Sequence, residues 1–179
     1  DMTGPLQSWT IVSGNDDGIL PIYANTGPIT IASLRAEAEV GALTAEGRLR
    51  LAGVRPLGPL RPGDLVLVPG IQIHPPEPGR PFVNEPVLRW LSAARHEGVR
   101  FASVCSGAIA LGEAGLLDGR SCTTHWSLIE PMRQRYPTAR VRDAVLYVHD
   151  GPISTSAGLA TGIDLALSLV EREHGPMLA

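Results

Sequence analysis

Val99-Arg100-Phe101-Ala102-Ser103-Val104-Cys105-Ser106-Gly107-Ala108 is the stretch whose reading decides the fold. An apolar run rich in β-formers ends at a thiol, and small residues then open what reads as a helix from Ser106 to Ala114, stopped at Gly115. That is the pattern of a nucleophile elbow, in which a strand stops, one residue takes a sharp turn and a helix begins. Small residues belong around such a turn because side chains there collide with the closely approaching strand and helix. A thiol so placed faces the unpaired N–H groups and positive end of the helix, which favour thiolate.

Working outward, Leu65-Val66-Leu67-Val68-Pro69-Gly70 is a continuous aliphatic run, as expected for a strand covered by helices on both faces. Ile29 to Leu34 has strand character, and Arg48-Leu49-Arg50-Leu51 alternates like a half-exposed strand. Asp1-Met2-Thr3-Gly4-Pro5 reads as a loop leading into a short helix. Asn84 is placed to cap a helix reaching about His96, with Val87, Leu88, Leu91 and Ala94 on one face. Ser121 to Thr124 reads as a short strand and Leu128 to Tyr136 as a helix. Ala144 to Val148 and Ile153 to Ser156 read as strands around an Asp150-Gly151 turn, and Thr161 to Glu173 as a closing amphipathic helix ended by Gly175-Pro176. Strands alternating with helices predict a mostly parallel, doubly covered sheet, with ligands outside the carboxyl ends of its strands. Three candidate elements share that edge: Pro69-Gly70, the turn at Cys105, and the region from Asp150 to Gly158.

Composition sets bounds on function. The 179 residues are 44% hydrophobic, enough for one α/β domain with a real core. A net charge of −3 carries no basic footprint for nucleic acid. No apolar run spans a membrane and no secretory signal is seen, and two cysteines, Cys105 and Cys122, make no disulfide framework, so a reducing cytoplasmic setting is expected. His74, His96 and His149 lack ligand spacing, so neither a metal nor a cofactor is expected. Gly112, Gly115 and Gly119 lie late in a helix and its exit, whereas a dinucleotide fingerprint opens one. Arg133, Arg135, Arg140 and Arg142 read as a solvated face, and Cys122 as a small core residue.

Several ordered blocks resemble the ThiJ/PfpI superfamily: Asp1-Met2-Thr3-Gly4-Pro5, Cys105-Ser106-Gly107-Ala108, Ala114 to Arg120, Thr123-Thr124-His125-Trp126, and Thr155-Ser156-Ala157-Gly158 followed by Gly162-Ile163-Asp164-Leu165. The resemblance runs from Asp1 to about Gly175 and is weakest from Ser13 to Leu60. It implies a flavodoxin-like three-layer sandwich related to class I glutamine amidotransferase domains, with the elbow cysteine at the sheet edge. Two branches of the superfamily compete. Ser106 after the cysteine, the block from Ala114 to Trp126, and Thr155 to Gly158 look like the amino-terminal domain of AraC-type transcription regulators. Isonitrile hydratases usually carry Thr after the cysteine and a glycine run where Ser156-Ala157 stand.

The resemblance implies a ligand-sensing, dimerising domain that takes an unidentified small molecule beside Cys105, with Gly70, Ile71, Ser106 and Ser156 as binding residues. DNA contact would then come from a helix-turn-helix part beyond Ala179, and the family's first strand would precede Asp1. A sheet lacking that strand would expose two unpaired edges. Under the enzymatic alternative, Cys105 attacks an electrophilic carbon and Asp1 moves the proton. An exposed, oxidisable thiolate at Cys105 is a third reading. Ile71 stands where many relatives have a second glycine, and Ser106 where hydrolytic relatives have the histidine that activates the thiol. His125 is expected to brace the strand–helix junction, with Trp126 packing beside it, and Asp164 to cap or hydrogen-bond.

Overall fold

The computed structural model describes the backbone of Trp9–Ser13, Ile29–Ser33, Leu43–Thr44 and Arg50–Leu51, together with residues 59–70, 83, 85–96 and 98–179. Expectations for Asp1, Ile71 and the Pro-rich stretch around His74 fall outside these residues.

The chain runs β1 (Trp9–Ser13), β2 (Ile29–Ser33), β3 (Leu43–Thr44), β4 (Arg50–Leu51), β5 (Leu65–Val68), α1 (Glu85–Ala93), β6 (Arg100–Ser103), α2 (Ala108–Glu113) and β7 (Ser121–Cys122). It continues through α3 (Ile129–Arg135), β8 (Arg140–Val141), β9 (Tyr147–Asp150), β10 (Ile153–Ser156) and α4 (Thr161–His174). The main sheet has six strands in the order β2-β1-β5-β6-β10-β9, parallel except for β9 at its end. β3 pairs with β4 and β7 with β8 in two small separate sheets.

Alternation along the strands builds the layers. Val66, Val68 and Phe101 join Val87, Leu91, Leu111 and Met132 in the core on the α1–α2–α3 face. Leu65, Leu67 and Ala102 face the other way and pack with Leu165 and Leu169 of α4. Side chains of successive strand residues point to opposite faces, so one aliphatic run supplies both layers. This is the mostly parallel, helix-covered α/β sandwich expected of a flavodoxin-like fold.

Four details differ from the sequence reading. Trp9-Thr10-Ile11-Val12-Ser13, with its aromatic and β-branched residues, is a strand paired in parallel with both β2 and β5. The strand expected at Ala144–Val148 begins only at Tyr147, because Ala144 sits at φ 56°, a left-handed conformation that ends extended structure. The strand expected at Ser121–Thr124 stops at Cys122. Asp150 lies at the far end of the sheet from the predicted ligand edge, because β9 is antiparallel and Asp150 pairs with Ile153, the first residue of β10. There its carboxylate accepts the Ser121 N–H at 2.6 Å and faces Arg120 and Arg140, which holds its pKa below the ordinary value.

His149 ties β9 and β10 to α4. Its Nδ1 lies 2.7 Å from Ser154 Oγ and its Nε2 3.0 Å from Ser168 Oγ. Ser168 spends its own hydroxyl proton on the Leu165 carbonyl, so Nε2 must donate and Nδ1 must accept from Ser154. Burial, and then the charge of Arg172, push the pKa of His149 down. The fold therefore holds this ring neutral, while the unfolded chain takes up its proton near pH ~6.5. This contribution to stability is fully present well above ~6.5 and is lost as pH falls from the unfolded value through the lower folded one. The melting temperature should therefore drop between about pH 7.5 and about pH 5.5, and His149→Gln should shrink that drop. An unchanged pH dependence in the variant would assign the acid sensitivity elsewhere.

Candidate functional site

β5, β6 and β10 run parallel, so Val68, Ser103 and Ser156 end at the same edge of the sheet. The chain leaves β6 through Val104 and enters a single 3-10 turn, Cys105–Gly107, before α2. Cys105 takes φ 57°, a left-handed conformation that costs a non-glycine residue energy. Its surroundings over-determine it. Val104 N–H donates to the Val68 carbonyl at 2.9 Å, and Cys105 N–H to the Ala157 carbonyl at 3.1 Å. Gly107 N–H closes the turn on the Val104 carbonyl at 2.9 Å, and Thr124 Oγ1 donates to the Cys105 carbonyl at 2.9 Å.

Glycines permit this convergence. A Cβ on Gly107 would stand 2.5 Å from both the Pro69 and Val68 carbonyl oxygens, and one on Gly162 would stand 2.8 Å from Val104 Cγ1. Gly70 is different: a Cβ there would meet Cys105 Cβ and Ser106 Oγ at 3.6 Å, ordinary contact distance. The structure thus brings Gly70, Cys105 and Ser106 together. Cys105 is partly exposed, whereas Ser106 is nearly buried. Ser156 is fully buried, and its Oγ donates at 3.4 Å to the same Ala157 carbonyl that accepts the Cys105 N–H. Asp1 and Ile71, the other expected site residues, lie outside the described residues.

His125 does the bracing expected of it. Its Nδ1 accepts the Ser127 N–H at 3.3 Å and caps the turn Trp126–Leu128, which leaves the proton of the neutral ring on Nε2. The ring lies directly on Gly158, where a side chain would collide with its Cδ2. Trp126 tilts against the His125 ring at 5.3 Å but is 76% exposed, so it does not pack into the core. The second thiol, Cys122, is fully buried, and burial followed by the charge of Asp150 pushes its pKa up to about 11. Three of the four arginines of the 133–142 stretch hold side-chain partners: Arg133 with Glu130 and the Val141 carbonyl, Arg135 with Glu113, and Arg140 with Asp150. Among the described residues, no group of three or more His, Cys, Asp or Glu side chains gathers to hold a metal.

Sequence reasoning missed Thr124 and Ala157. Thr124 signals its role only as a hydroxyl inside the Thr-Thr-His-Trp block, and Ala157 acts through its carbonyl, which no residue type reveals.

The profile of the DJ-1/PfpI family matches residues 61–172. The chain belongs to the DJ-1/PfpI family. It is 37% identical over 142 residues to the HTH-type transcriptional regulator CdhR of Pseudomonas aeruginosa, covering 79% of this chain and 40% of that protein. It is 36% identical over 94 residues to the isonitrile hydratase of Pseudomonas putida, covering 51% of this chain and 39% of that enzyme. Among solved structures, an AraC family transcriptional regulator from Pseudomonas putida superposes with a TM-score of 0.72 at 21% identity, covering 97% of this chain and 95% of the other. The structural likeness confirms the DJ-1/PfpI fold. The chain spans only about two fifths of the length of CdhR and of the hydratase.

Two measurements check this geometry. Gly107→Ala should destabilise the domain by about 1–3 kcal/mol in urea unfolding, since the new methyl meets backbone that cannot yield; a neutral effect would refute the tight approach. In the folded protein, maleimide should label Cys105 and leave Cys122 unreacted until denaturant is added. Equal labelling rates would contradict the burial of Cys122.

Proposed function

We propose that this DJ-1/PfpI domain is the ligand-sensing and dimerising part of an AraC-type transcription regulator. Supporting this above all is the 37% identity to a transcriptional regulator over 79% of the chain. The site chemistry agrees. Ser106 follows the cysteine, where a hydrolytic relative would carry an activating histidine, and His125 commits its Nδ1 to a turn cap. In this reading, the strand–turn–helix at Cys105 is a nucleophile elbow retained as the floor of a binding site. A small molecule sits against Gly70, Ile71, Cys105 and Ser106, with Ser156 behind them. Its preference for one arrangement of two copies shifts an attached DNA-binding part between states. DNA is contacted by that part, beyond Ala179, and the protein works in the cytoplasm. Among the described residues, no helix is long and apolar enough to cross a membrane.

The alternative keeps the cysteine as a nucleophile. The partial exposure of Cys105 and the 36% identity to an isonitrile hydratase favour it. Cys105 would then add to the isonitrile carbon, with Asp1 passing the thiol proton to that carbon to give a thioimidate; water would add to the same carbon, and breaking the C–S bond would release the thiol and the N-substituted formamide.

One experiment separates the two readings. The purified chain is screened by thermal shift against small polar metabolites and assayed in parallel for hydration of cyclohexyl isocyanide. For a sensor, a metabolite present at about 100 times its Kd stabilises the fold by about 2.7 kcal/mol. Gly70→Phe, which fills the space beside Cys105, should abolish that shift, and no amide should form. Amide formation that Cys105→Ala removes while the fold is retained would establish the enzyme instead.

A further inference from the structure

We propose that α4 is a rod coupling the turn at Cys105 to the ion pair of Arg100 with Glu173 at the opposite end of the sheet, so that a molecule bound at the thiol shifts the last turn of the helix. This rests on the sensing reading above, in which the DNA-binding part follows α4, and deepens it by naming the element that links the two.

The helix lies along strand β6 and is fastened to it at both ends. At the carboxyl edge, Val104, the residue before Cys105, lies directly on the first turn of α4. A Cβ on Gly162 would stand 2.8 Å from Val104 Cγ1 and 3.2 Å from its Cγ2. Val104 is β-branched, so its side chain has few rotamers in which to swing clear. The segment leading into the helix is tied to the same turn. The Ala157 carbonyl accepts the Cys105 N–H at 3.1 Å, and Thr161 Oγ1 donates to the Gly158 carbonyl at 3.0 Å. Farther along, Leu165 and Leu169 pack with Leu65 and Ala102. The 14 residues of α4 span ~21 Å with no proline and no glycine beyond the first turn, so the helix moves as one body.

At the other end Glu173 pairs with Arg100, the first residue of β6. The Glu173 side chain is only 13% exposed, so water screens the pair little. The neighbouring Arg172 works against it: burial, and then the charge of Arg172, push the pKa of Arg100 below its ordinary value. Arg100 thus stands between one attracting and one repelling side chain of the same helical turn. With the pair closed, the helix end is drawn to β6. With it broken, a partly buried guanidinium faces Arg172 alone and the helix end is pushed away. Two discrete arrangements are what a coupling element needs. Strain sits at the far end, where Cys105 holds φ 57°. A molecule that bears on Cys105 bears on Val104 and, through Gly162, on the whole rod.

The test reads both directions, because coupling is reciprocal. In the first, maleimide labelling of Cys105 is timed in the wild-type 179-residue chain, in Glu173→Gln and in Glu171→Gln, which removes an exposed charge two residues away. Glu173→Gln should speed labelling of Cys105 at least threefold while the buried Cys122 stays unreacted, and Glu171→Gln should leave the rate unchanged. In the second, which needs no variant, wild type alkylated at Cys105 with N-ethylmaleimide is compared with the free thiol by hydrogen exchange. Amides 169–174 should exchange at least threefold faster, and those of α1 at an unchanged rate. If Glu173→Gln exposes Cys122, the variant has loosened globally and the exchange measurement decides. A Cys105 rate unmoved by Glu173→Gln overturns the coupling, as does exchange at 169–174 that stays unmoved or rises equally in α1. A metabolite that stabilises the chain while that exchange stays unmoved overturns this route and leaves the sensing reading standing. Coupling found in a chain that converts an isonitrile to its formamide upholds the rod and overturns the sensing reading.

Discussion

The hydrogen bond from Cys105 N–H to the Ala157 carbonyl is the contact on which the site depends. It joins the end of β6 to the exit of β10 and holds a cysteine in a conformation that the isolated chain would rarely visit. A single such bond contributes only about 1 kcal/mol net, comparable to the strain it opposes. The turn therefore persists because several contacts act together. Val104 is held by Val68, the Cys105 carbonyl by Thr124, and Gly107 lies against the backbone of Pro69. β5, β6, β10 and the segment after β7 all contribute, so the thiol is positioned by the sheet as a whole.

The same rigidity constrains what the site can do. Cys105 is partly exposed, its amide is spent on Ala157, and Gly70 lies beside it and the hydroxyl of Ser106. His125 is close through Gly158, yet its Nδ1 serves a local cap.

Much of the fold was legible in the residue pattern. The aliphatic run Leu65–Val68, the run ending at Cys105, the amphipathic helix after Asn84 and the closing helix from Thr161 all stand where periodicity places them. Each buries a face long enough for its period to show. Less legible were segments held by partners distant in sequence. Tyr147–Asp150 becomes a strand by pairing with β10 and by the Asp150 clamp on Ser121, while the equally apolar Ala144–Leu146 does not. Trp9–Ser13 follows a loop signal, and its pairing lies with strands Ile29–Ser33 and Leu65–Val68, remote along the chain.

By itself the sequence determined the fold class and the thiol at the turn, because burial on two faces and a run of small residues are local signals that survive without coordinates, and its ordered motif blocks carried the resemblance to the family. Tertiary structure alone decided the rest. Only there do the Ala157 carbonyl and the Thr124 hydroxyl reach Cys105, across 52 and 19 positions of chain respectively. Only there do His149, Ser154 and Ser168 form one network, and leucines spaced like core residues turn out to face solvent. Periodicity reports that a helix has an apolar face, but which face meets the sheet is settled by packing against everything else.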